Sequence, residues 1–276
     1  MSKTNIAWAQ YSWNPYLWRC RKRSPGCQNC YMMTLARRRG QDPSGAFGTR
    51  WDAALKELAR FPAGAVIFVN SMSDTYYEAA ADADVHRVHN TALAHPDKTF
   101  LVLTKRPERP YYMRHLLAWP ENLWLGVSVE SADYLWRIAY ALLTGAAHVF
   151  VSAEPLLGDV EGLQHYLGTA CVEEPVVSPL SGRLWWTRGV EWVIVGGESG
   201  PNRRPFDRQW ARNIREMCTA RDVPFFFKQG SAYKPGRDRL LDGRAWDEIP
   251  EAFNAVIRGP TPSQQLALFA AAQIGQ

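Results

Sequence analysis

The sequence has no long hydrophobic run, and no apolar stretch approaches the roughly 18 residues that a membrane-spanning helix needs. Its amino end also lacks the charged start, apolar run and small-residue cleavage site of a secretory leader. These two absences predict a soluble, cytoplasmic protein without membrane contact. In a reducing compartment, clustered cysteines bind metal more often than they form disulfides.

Several common catalytic signatures are missing as well. The sequence contains no Walker A pattern and no H-E-x-x-H pattern, and no Ser-His-Asp arrangement can be argued from it. A phosphate-loop nucleotide hydrolase and a zincin-type protease are therefore not supported. His86 and His89 lie three residues apart on a predicted helix, and we interpret them as surface histidines rather than as shared ligands.

Acidic residues are scarce in the first fifty positions, where Asp42 is outnumbered by nine lysines and arginines. The overall net charge of +5 is modest, so the positive charge is concentrated at this end. The cations alternate with Trp8, Trp13, Trp18 and Tyr31. Such a surface is suited to a phosphate backbone, an anionic cofactor or the acidic face of a partner, and a solvated face is the alternative.

Cysteine is also rare, yet three of the five cysteines, Cys20, Cys27 and Cys30, fall within eleven residues. The C-x-x-C gap lets two thiolates reach one metal centre, and Pro25-Gly26 supplies a turn toward Cys20. Structural zinc normally has four ligands, so a triplet leaves one position open. A 4Fe-4S cluster held by three cysteines shares that property. We therefore predict a metal site, with three unligated thiols as the alternative.

Short apolar runs alternate with segments of helical periodicity along most of the chain. Runs that are apolar on both faces are typical of buried parallel strands. The predicted strands are Asn5–Ala9, Ala65–Asn70, Thr99–Thr104, Leu123–Val129, His148–Ser152, Glu191–Val195 and Pro224–Phe227. The predicted helices are Cys30–Arg39, Asp82–His95, Glu108–Ala118, Ala132–Leu143 and Arg208–Ala220. About seven βα steps predict an α/β fold, a full or partial (β/α) TIM-like barrel.

The alternation predicts a single barrel domain over residues 1–258. It lapses over residues 159–189, where proline and glycine between short β-prone pieces indicate an inserted hairpin or lid. Gly-Pro-Thr-Pro-Ser then indicates a linker at the start of a tail over residues 259–276. The tail either docks on a DNA-replication sliding clamp or packs on the domain as a helix. The residues that resemble the clamp-docking motif are Gln265, Leu266, Leu268 and Phe269.

Polar residues follow six of the predicted strands, at the edge where barrel enzymes gather their active sites. A helix cap explains any one of them, but six in succession favour a binding site. The candidates are Ser71, Ser73, Asp74, Lys105, Ser128, Glu130, Glu154, Gly196, Gly197, Glu198, Lys228 and Gln229. Arg203 and Arg204 add guanidinium groups suited to phosphate or carboxylate, with surface salt bridges as the alternative.

With these motifs the chain resembles a three-cysteine-motif family of phage and bacterial proteins of unknown function. The resemblance reaches to about Phe253. It rests on residues 13–15, 24–31, 70–74, 103–107, 126–130, 152–157, 196–200 and 225–229. That family is in turn similar to radical S-adenosylmethionine enzymes, which combine a partial barrel, an early cysteine triplet and polar strand ends that hold the cofactor.

The resemblance implies a role for each candidate. Cys20, Cys27 and Cys30 would ligate a 4Fe-4S cluster whose open iron takes S-adenosylmethionine, which an electron then cleaves to a 5′-deoxyadenosyl radical. By strand order, Ser71, Ser73 and Asp74 would meet the methionyl amino group, Lys105 the carboxylate, and Ser128 and Glu130 the ribose. The residues left to face cofactor or substrate are Glu154, Gly196, Gly197, Glu198, Lys228 and Gln229, with Arg203 and Arg204 toward substrate phosphate.

Two functions follow from the sequence. The first is a radical S-adenosylmethionine enzyme that acts on a nucleic acid or nucleotide, since the amino end is basic. The alternative is a nucleic-acid-binding barrel of phage origin, non-catalytic or hydrolytic, in which zinc stabilises the cysteine segment.

Overall fold

One curled parallel sheet organises the chain in a computed structural model that describes residues 3–168, 176–178, 182–184 and 188–253. Its strands are β1 (Tyr11–Trp13), β2 (Val66–Val69), β3 (Thr99–Thr104), β4 (Leu123–Ser128), β5 (His148–Ala153), β8 (Trp192–Gly196) and β9 (Phe225–Gln229). They pair in that order, each parallel to the next. Within the described residues β1 and β9 do not pair with each other. The predicted α/β fold is therefore confirmed as a partial barrel.

Both faces of the sheet are buried, which explains why its strands are apolar throughout. Along β2 the side chains alternate, so that Ile67 packs under the helices and Phe68 on the opposite face. That opposite face is rich in aromatic rings. Its rings belong to Trp8, Phe68, Trp124, Phe150, Trp192, Phe226 and Phe253. Gly126 makes room for one of them, since a Cβ at this position would lie 2.2 Å from the Phe150 ring.

Six helices are described. They are α1 (Tyr31–Arg38), α2 (Trp51–Leu58), α3 (Asp82–Leu93), α4 (Glu108–Tyr112), α5 (Trp136–Leu142) and α6 (Arg208–Thr219). The sequence did not predict α2, and it extended α4 beyond its observed end at Tyr112. The helix predicted over Ala132–Leu143 is a 3-10 turn, Ala132–Tyr134, followed by α5.

The predicted strand Asn5–Ala9 is wrong, because this apolar stretch forms a turn. The Ala9 N–H donates to the Ile6 carbonyl at 3.2 Å, and the Trp8 side chain enters the aromatic face of the sheet. The first strand begins two residues later, where Tyr11 pairs with Ile67 of β2.

The predicted insertion contains a hairpin of β6 (Val176–Ser178) and β7 (Gly182–Leu184), which pair in antiparallel fashion. Its role as a lid stays a prediction. A second hairpin joins β10 (Leu240–Leu241) to β11 (Arg244–Ala245) through a turn. The clamp-docking motif lies outside the described residues. No helix in the described part of the chain is long and apolar enough to cross a membrane.

His89 is buried on α3, so its interpretation as a surface histidine is wrong. Its Nδ1 donates to the Ala118 carbonyl at 2.6 Å, and its Nε2 accepts from the Tyr76 hydroxyl at 3.0 Å. Both ring nitrogens of the neutral form are thus satisfied. Burial is the main cause that lowers the pKa of His89 from 6.5 to about 4.

This histidine should make the protein sensitive to acid. Between about pH 6.5 and 4 the unfolded chain binds a proton that the folded protein excludes, so stability is complete above this window and falls as pH decreases through it. We expect His89→Gln to reduce the loss of unfolding free energy between pH 7 and 5 by about 2 kcal/mol. Urea denaturation at pH 7 and at pH 5 measures this loss in the unaltered protein and in the variant. The exposed His115, changed to Gln, is the control, and equal losses in both variants would contradict the expectation.

Candidate functional site

The segment from Cys20 to Tyr31, called here the cysteine loop, lies across the carboxyl ends of the parallel strands. Its centre is a 3-10 turn, Pro25–Cys27, closed by the Cys27 N–H donating to the Ser24 carbonyl at 2.9 Å. Cys30 directly precedes α1. The Ser-Pro-Gly sequence thus forms the predicted turn, and the loop contacts the residues that follow β2, β3, β4 and β8.

Cys20 is partly buried beside a cation at this edge. Its Sγ lies 3.7 Å from Nη1 of Arg106. Burial raises the pKa of Cys20 to about 12; the charges of Asp74, Cys27 and Cys30 also raise it, and Arg106 opposes them. The three thiols are therefore close enough to influence one another electrostatically.

Cys30 has a similar environment at the start of a helix. Burial raises the pKa of Cys30, while the backbone N–H groups of Met32 and Met33 favour its thiolate. Cys27 makes weaker contacts, with its Sγ 3.5 Å from the backbone nitrogen of Arg23 and 3.9 Å from the Ser24 hydroxyl.

The three thiols do not form a recognisable site for a single metal ion. Among the described residues, no group of three or more His, Cys, Asp or Glu side chains is arranged to hold a metal ion. A tetrahedral zinc ion with Zn–S bonds of about 2.3 Å would require sulfur atoms about 3.8 Å apart. A cluster in which each thiol binds a different iron needs a wider spacing.

Asp74, after β2, holds the first charged pair of the edge. Its Oδ2 lies 3.1 Å from Nη1 of Arg106, and its Oδ1 accepts from the Thr104 hydroxyl at 2.8 Å. Arg106 also donates through Nη2 to the Arg21 carbonyl at 2.9 Å. Asp74 thereby fixes a guanidinium that holds both the backbone and a thiol of the cysteine loop.

Glu130, after β4, is fully buried between two cations. Its Oε1 lies 3.1 Å from Nζ of Lys105, and its Oε2 lies 2.8 Å from Nη1 of Arg137. The Ser24 hydroxyl donates to Oε1 as well. Burial acts to raise the pKa of Glu130, but the two cations and this hydrogen bond hold it below its usual value.

Gly26 makes the approach of the loop to Glu130 possible. A Cβ at this position would lie 2.4 Å from the Glu130 Oε1, which is far inside van der Waals contact. The neighbouring Ser24 can therefore reach the carboxylate only because residue 26 has no side chain.

Glu198, after β8, ties a third point of the loop to the sheet. Its Oε2 accepts from Nδ2 of Asn29 at 2.9 Å and from the backbone N–H of Arg204 at 2.8 Å, and the Arg204 guanidinium pairs with both oxygens. Arg204 Nη2 also donates to the Pro25 carbonyl at 3.0 Å. Burial acts to raise the pKa of Glu198, but the hydrogen bonds from Arg204 and Asn29 hold it low.

Glu154, after β5, pairs with Lys228. None of the described contacts joins this pair to the cysteine loop. The Glu154 Oε1 lies 2.8 Å from Nζ of Lys228, and its Oε2 accepts from Nε1 of Trp8 and from the Ser152 hydroxyl, both at 3.3 Å. Gly196 leaves space for it, since a Cβ there would lie 2.4 Å from Oε1. These groups are polar, partly exposed and available to a ligand.

The chain matches the model of a family described as proteins of unknown function (DUF5131) over residues 3–250. It belongs to this family. No curated protein and no solved structure matches the chain. The matched range includes the whole parallel sheet and the cysteine loop, and it ends before the tail. Membership of a family of unknown function is thus confirmed, whereas the resemblance to a three-cysteine-motif family and to radical S-adenosylmethionine enzymes stays a prediction.

In this family member, several predicted site residues have structural partners. Ser71 Oγ donates to Oδ1 of Asn14 at 3.1 Å, and Ser73 Oγ donates to the Arg19 carbonyl at 2.5 Å. Ser128 is buried, and its carbonyl accepts from Arg137 at 2.7 Å. These contacts fix the backbone around the cysteine loop.

Of the other predicted site residues, some support the backbone of the segment after β8, and one is exposed to solvent. Gln229 is buried and donates to the Gly197 carbonyl at 3.1 Å, so it supports the segment after β8. A Cβ on Gly197 would lie 2.8 Å from the backbone of Gly230, which explains the second glycine of this segment. Arg203 is exposed and contacts the Gly200 carbonyl.

Four residues that hold the site were not among the predicted site residues: Ser24, Asn29, Arg106 and Arg137. Arg106 follows Lys105 in the polar segment after β3, so its position carried a usable signal. Asn29 lies inside the C-x-x-C pair, and a polar amide there is compatible with a hydrogen bond to the sheet. Arg137 had no such signal, because it lies on a helix and its partner Glu130 is known only from the fold.

Proposed function

We propose that this protein is a radical S-adenosylmethionine enzyme in which Cys20, Cys27 and Cys30 ligate a 4Fe-4S cluster. The position of the cysteine loop supports this assignment, since it lies at the edge where α/β barrels form their active sites. Three thiolates leave one iron of the cluster without a protein ligand. When bound, such a cluster supplies the electron that cleaves S-adenosylmethionine.

The way in which the loop is held fits a cluster better than a structural zinc ion. Groups other than the thiols anchor the loop: the Ser24 hydroxyl, the Asn29 amide and the carbonyls of Arg21 and Pro25. The thiols themselves make only weak contacts, so they remain available as ligands. The loop thus has no need of a metal ion to stay on the sheet, which leaves the three thiols free to ligate a cluster.

The charged residues of the edge then have two different tasks. Glu130, Glu198 and the Asp74–Arg106 pair are positioning residues, because they act through the cysteine loop. Glu154 and Lys228 are the groups that we assign to the polar ends of the cofactor. Lys228 would bind a carboxylate and Glu154 would accept from an amino or hydroxyl group. Arg203, which is exposed on the segment after β8, would face the substrate.

Anaerobic isolation and reconstitution test the proposal. We expect about four iron and four sulfide per chain, a brown colour that bleaches with reductant, and 5′-deoxyadenosine when S-adenosylmethionine is added. Stoichiometric zinc without iron in the anaerobically isolated protein would overturn the proposal and support the zinc-stabilised barrel. A cluster that forms but yields no 5′-deoxyadenosine under reduction would reject the S-adenosylmethionine chemistry alone.

A further inference from the structure

A second loop at the carboxyl edge carries an exposed aromatic ring and two exposed cations. This segment, residues 230–238 directly after β9, is called here the aromatic-basic loop. Tyr233 is 63% exposed, and Lys234 and Arg237 are exposed beside it. A large ring so accessible to water contributes little to folding, and its face is free to contact a ligand.

The base of the aromatic-basic loop is rigidly held. Gln229 accepts from the Gly236 N–H at 2.8 Å through its Oε1, while its Nε2 donates to the Gly197 carbonyl. The Gly230 N–H donates to the Asp238 carbonyl at 2.9 Å and closes the loop. Both ends are thus fixed to the segment after β8, and the tip with Tyr233 projects from a defined position.

The aromatic-basic loop and the cysteine loop are anchored to the same segment. The Ser231 hydroxyl donates to the Arg204 carbonyl at 2.6 Å, and the Gly200 N–H donates to the Ala232 carbonyl at 3.2 Å. Arg204 in turn donates to the Pro25 carbonyl of the cysteine loop. The two loops are therefore neighbours along one edge of the sheet.

Exposed cations lie in the two loops and in the segments directly joined to them. The cysteine loop contributes Arg21 and Lys22, α1 contributes Arg37 and Arg38, and Arg203 directly precedes Arg204, which contacts both loops. Within the described residues, no ion pair engages Lys22, Arg38, Lys234 or Arg237. The arginines of α6 differ, since Arg208, Arg212 and Arg215 pair with Asp238 and Asp242. Unneutralised positive charge attracts a polyanion to this edge.

The exposed rings indicate which polyanion fits. Tyr31, at the end of the cysteine loop, is 49% exposed, and its hydroxyl is fixed by the Ser71 carbonyl. With Tyr233 it gives the basic edge two accessible aromatic faces. Rings that stack on bases among cations are typical of proteins that bind single strands, whereas a duplex hides the faces of its bases.

We propose that this edge binds a single-stranded nucleic acid, with Tyr233 stacking on a base and with Lys234 and Arg237 contacting phosphates. The proposal deepens the proposed function and rests on it in one respect: the strand would bring a nucleotide to the cysteine loop. Binding itself requires no cluster, so it can be measured separately.

Fluorescence anisotropy with labelled 12-nucleotide DNA and RNA single strands and the corresponding DNA duplex tests the proposal on the full chain. We expect both single strands to bind more tightly than the duplex. Tyr233→Ala should weaken single-strand binding about tenfold, and Tyr233→Phe should retain it. Lys234→Gln with Arg237→Gln should reduce the slope of log affinity against log salt by about 1.4, or about 0.7 for each phosphate contact. Different affinities for DNA and RNA would identify which sugar the edge accepts.

Matched controls lie at the opposite edge of the sheet. Arg60 is exposed between α2 and β2, and Leu116 is 69% exposed ahead of β4. Arg60→Gln and Leu116→Ala should leave affinity and salt slope unchanged. Tighter binding of the duplex, or unchanged affinity in Tyr233→Ala, would overturn the proposal. Strand binding by a protein that takes up no iron would reject the enzyme proposal alone, and a functional cluster without strand binding would reject this one alone.

Discussion

Replacing Cys20, Cys27 or Cys30 singly with serine is expected to reduce the iron of the reconstituted protein from about four atoms per chain to a trace. A serine hydroxyl stays protonated at neutral pH and cannot replace a thiolate. Loss of one ligand exposes a second iron of the cluster, which then decomposes. Iron and sulfide analysis together with the visible absorption spectrum measures the effect.

Cys218 provides the control for these variants. It is buried in the core on α6, away from the carboxyl edge, so Cys218→Ala should retain the iron of the unaltered protein. Full iron in any one of the three serine variants would exclude that thiol as a ligand. The serine variants should also stay folded, because the hydroxyl of Ser24 and the amide of Asn29 still hold the loop.

Replacing Glu130 with leucine is expected to lower the free energy of unfolding by about 3–5 kcal/mol. The change leaves Arg137, which is 1% exposed, without its carboxylate, and an unpaired buried charge is strongly unfavourable. It also removes the acceptor of Ser24, so trypsin should cleave the cysteine loop at Lys22 more rapidly. Urea denaturation and timed proteolysis measure the two effects.

Two further variants separate the causes. The double variant Glu130→Leu, Arg137→Met should recover most of the lost stability, since a buried pair replaced by apolar residues of similar size is often neutral. Its loop should nevertheless stay sensitive to trypsin. Glu108 forms an exposed pair with Arg23 at 2.7 Å, and Glu108→Gln should cost less than about 1 kcal/mol. A similar loss of unfolding free energy in Glu130→Leu and Glu108→Gln would show that burial of Glu130 and its partners does not increase their contribution to stability.

The strands from β2 onward were predicted better from the sequence than the first strand and the helices. Runs such as Phe100 to Val102 are apolar on both faces, and only a strand between two buried layers requires this. The run Asn5–Ala9 failed because apolarity alone does not distinguish a strand from a turn that inserts one ring, Trp8, into the core. Helix α2 is eight residues long and begins at Trp51, and the preceding Arg50 forms no side-chain cap, so the helix lacked the usual start signal.

For the site, strand order correctly indicated which polar residues share the carboxyl edge. It did not indicate their partners, because pairing depends on side-chain reach across the edge. Glu198 and Asn29 lie 169 positions apart in the chain, and their hydrogen bond follows only from the fold. The role that the resemblance implied for Glu130 toward a ribose stays a prediction, and in the structure both of its oxygens already bind protein groups.

The position of Cys27 depends on the size of the side chain at residue 26, which is glycine. With hydrogen alone at residue 26, the turn rests directly on the Glu130 carboxylate, and the adjoining thiol is held at a fixed height above the sheet. Any larger residue would have to lift the turn away from this support. The distance between the cysteine loop and the sheet is thus set by a residue with no reactive group, so substitution there would alter the spacing of the thiols while leaving all three cysteines in the chain.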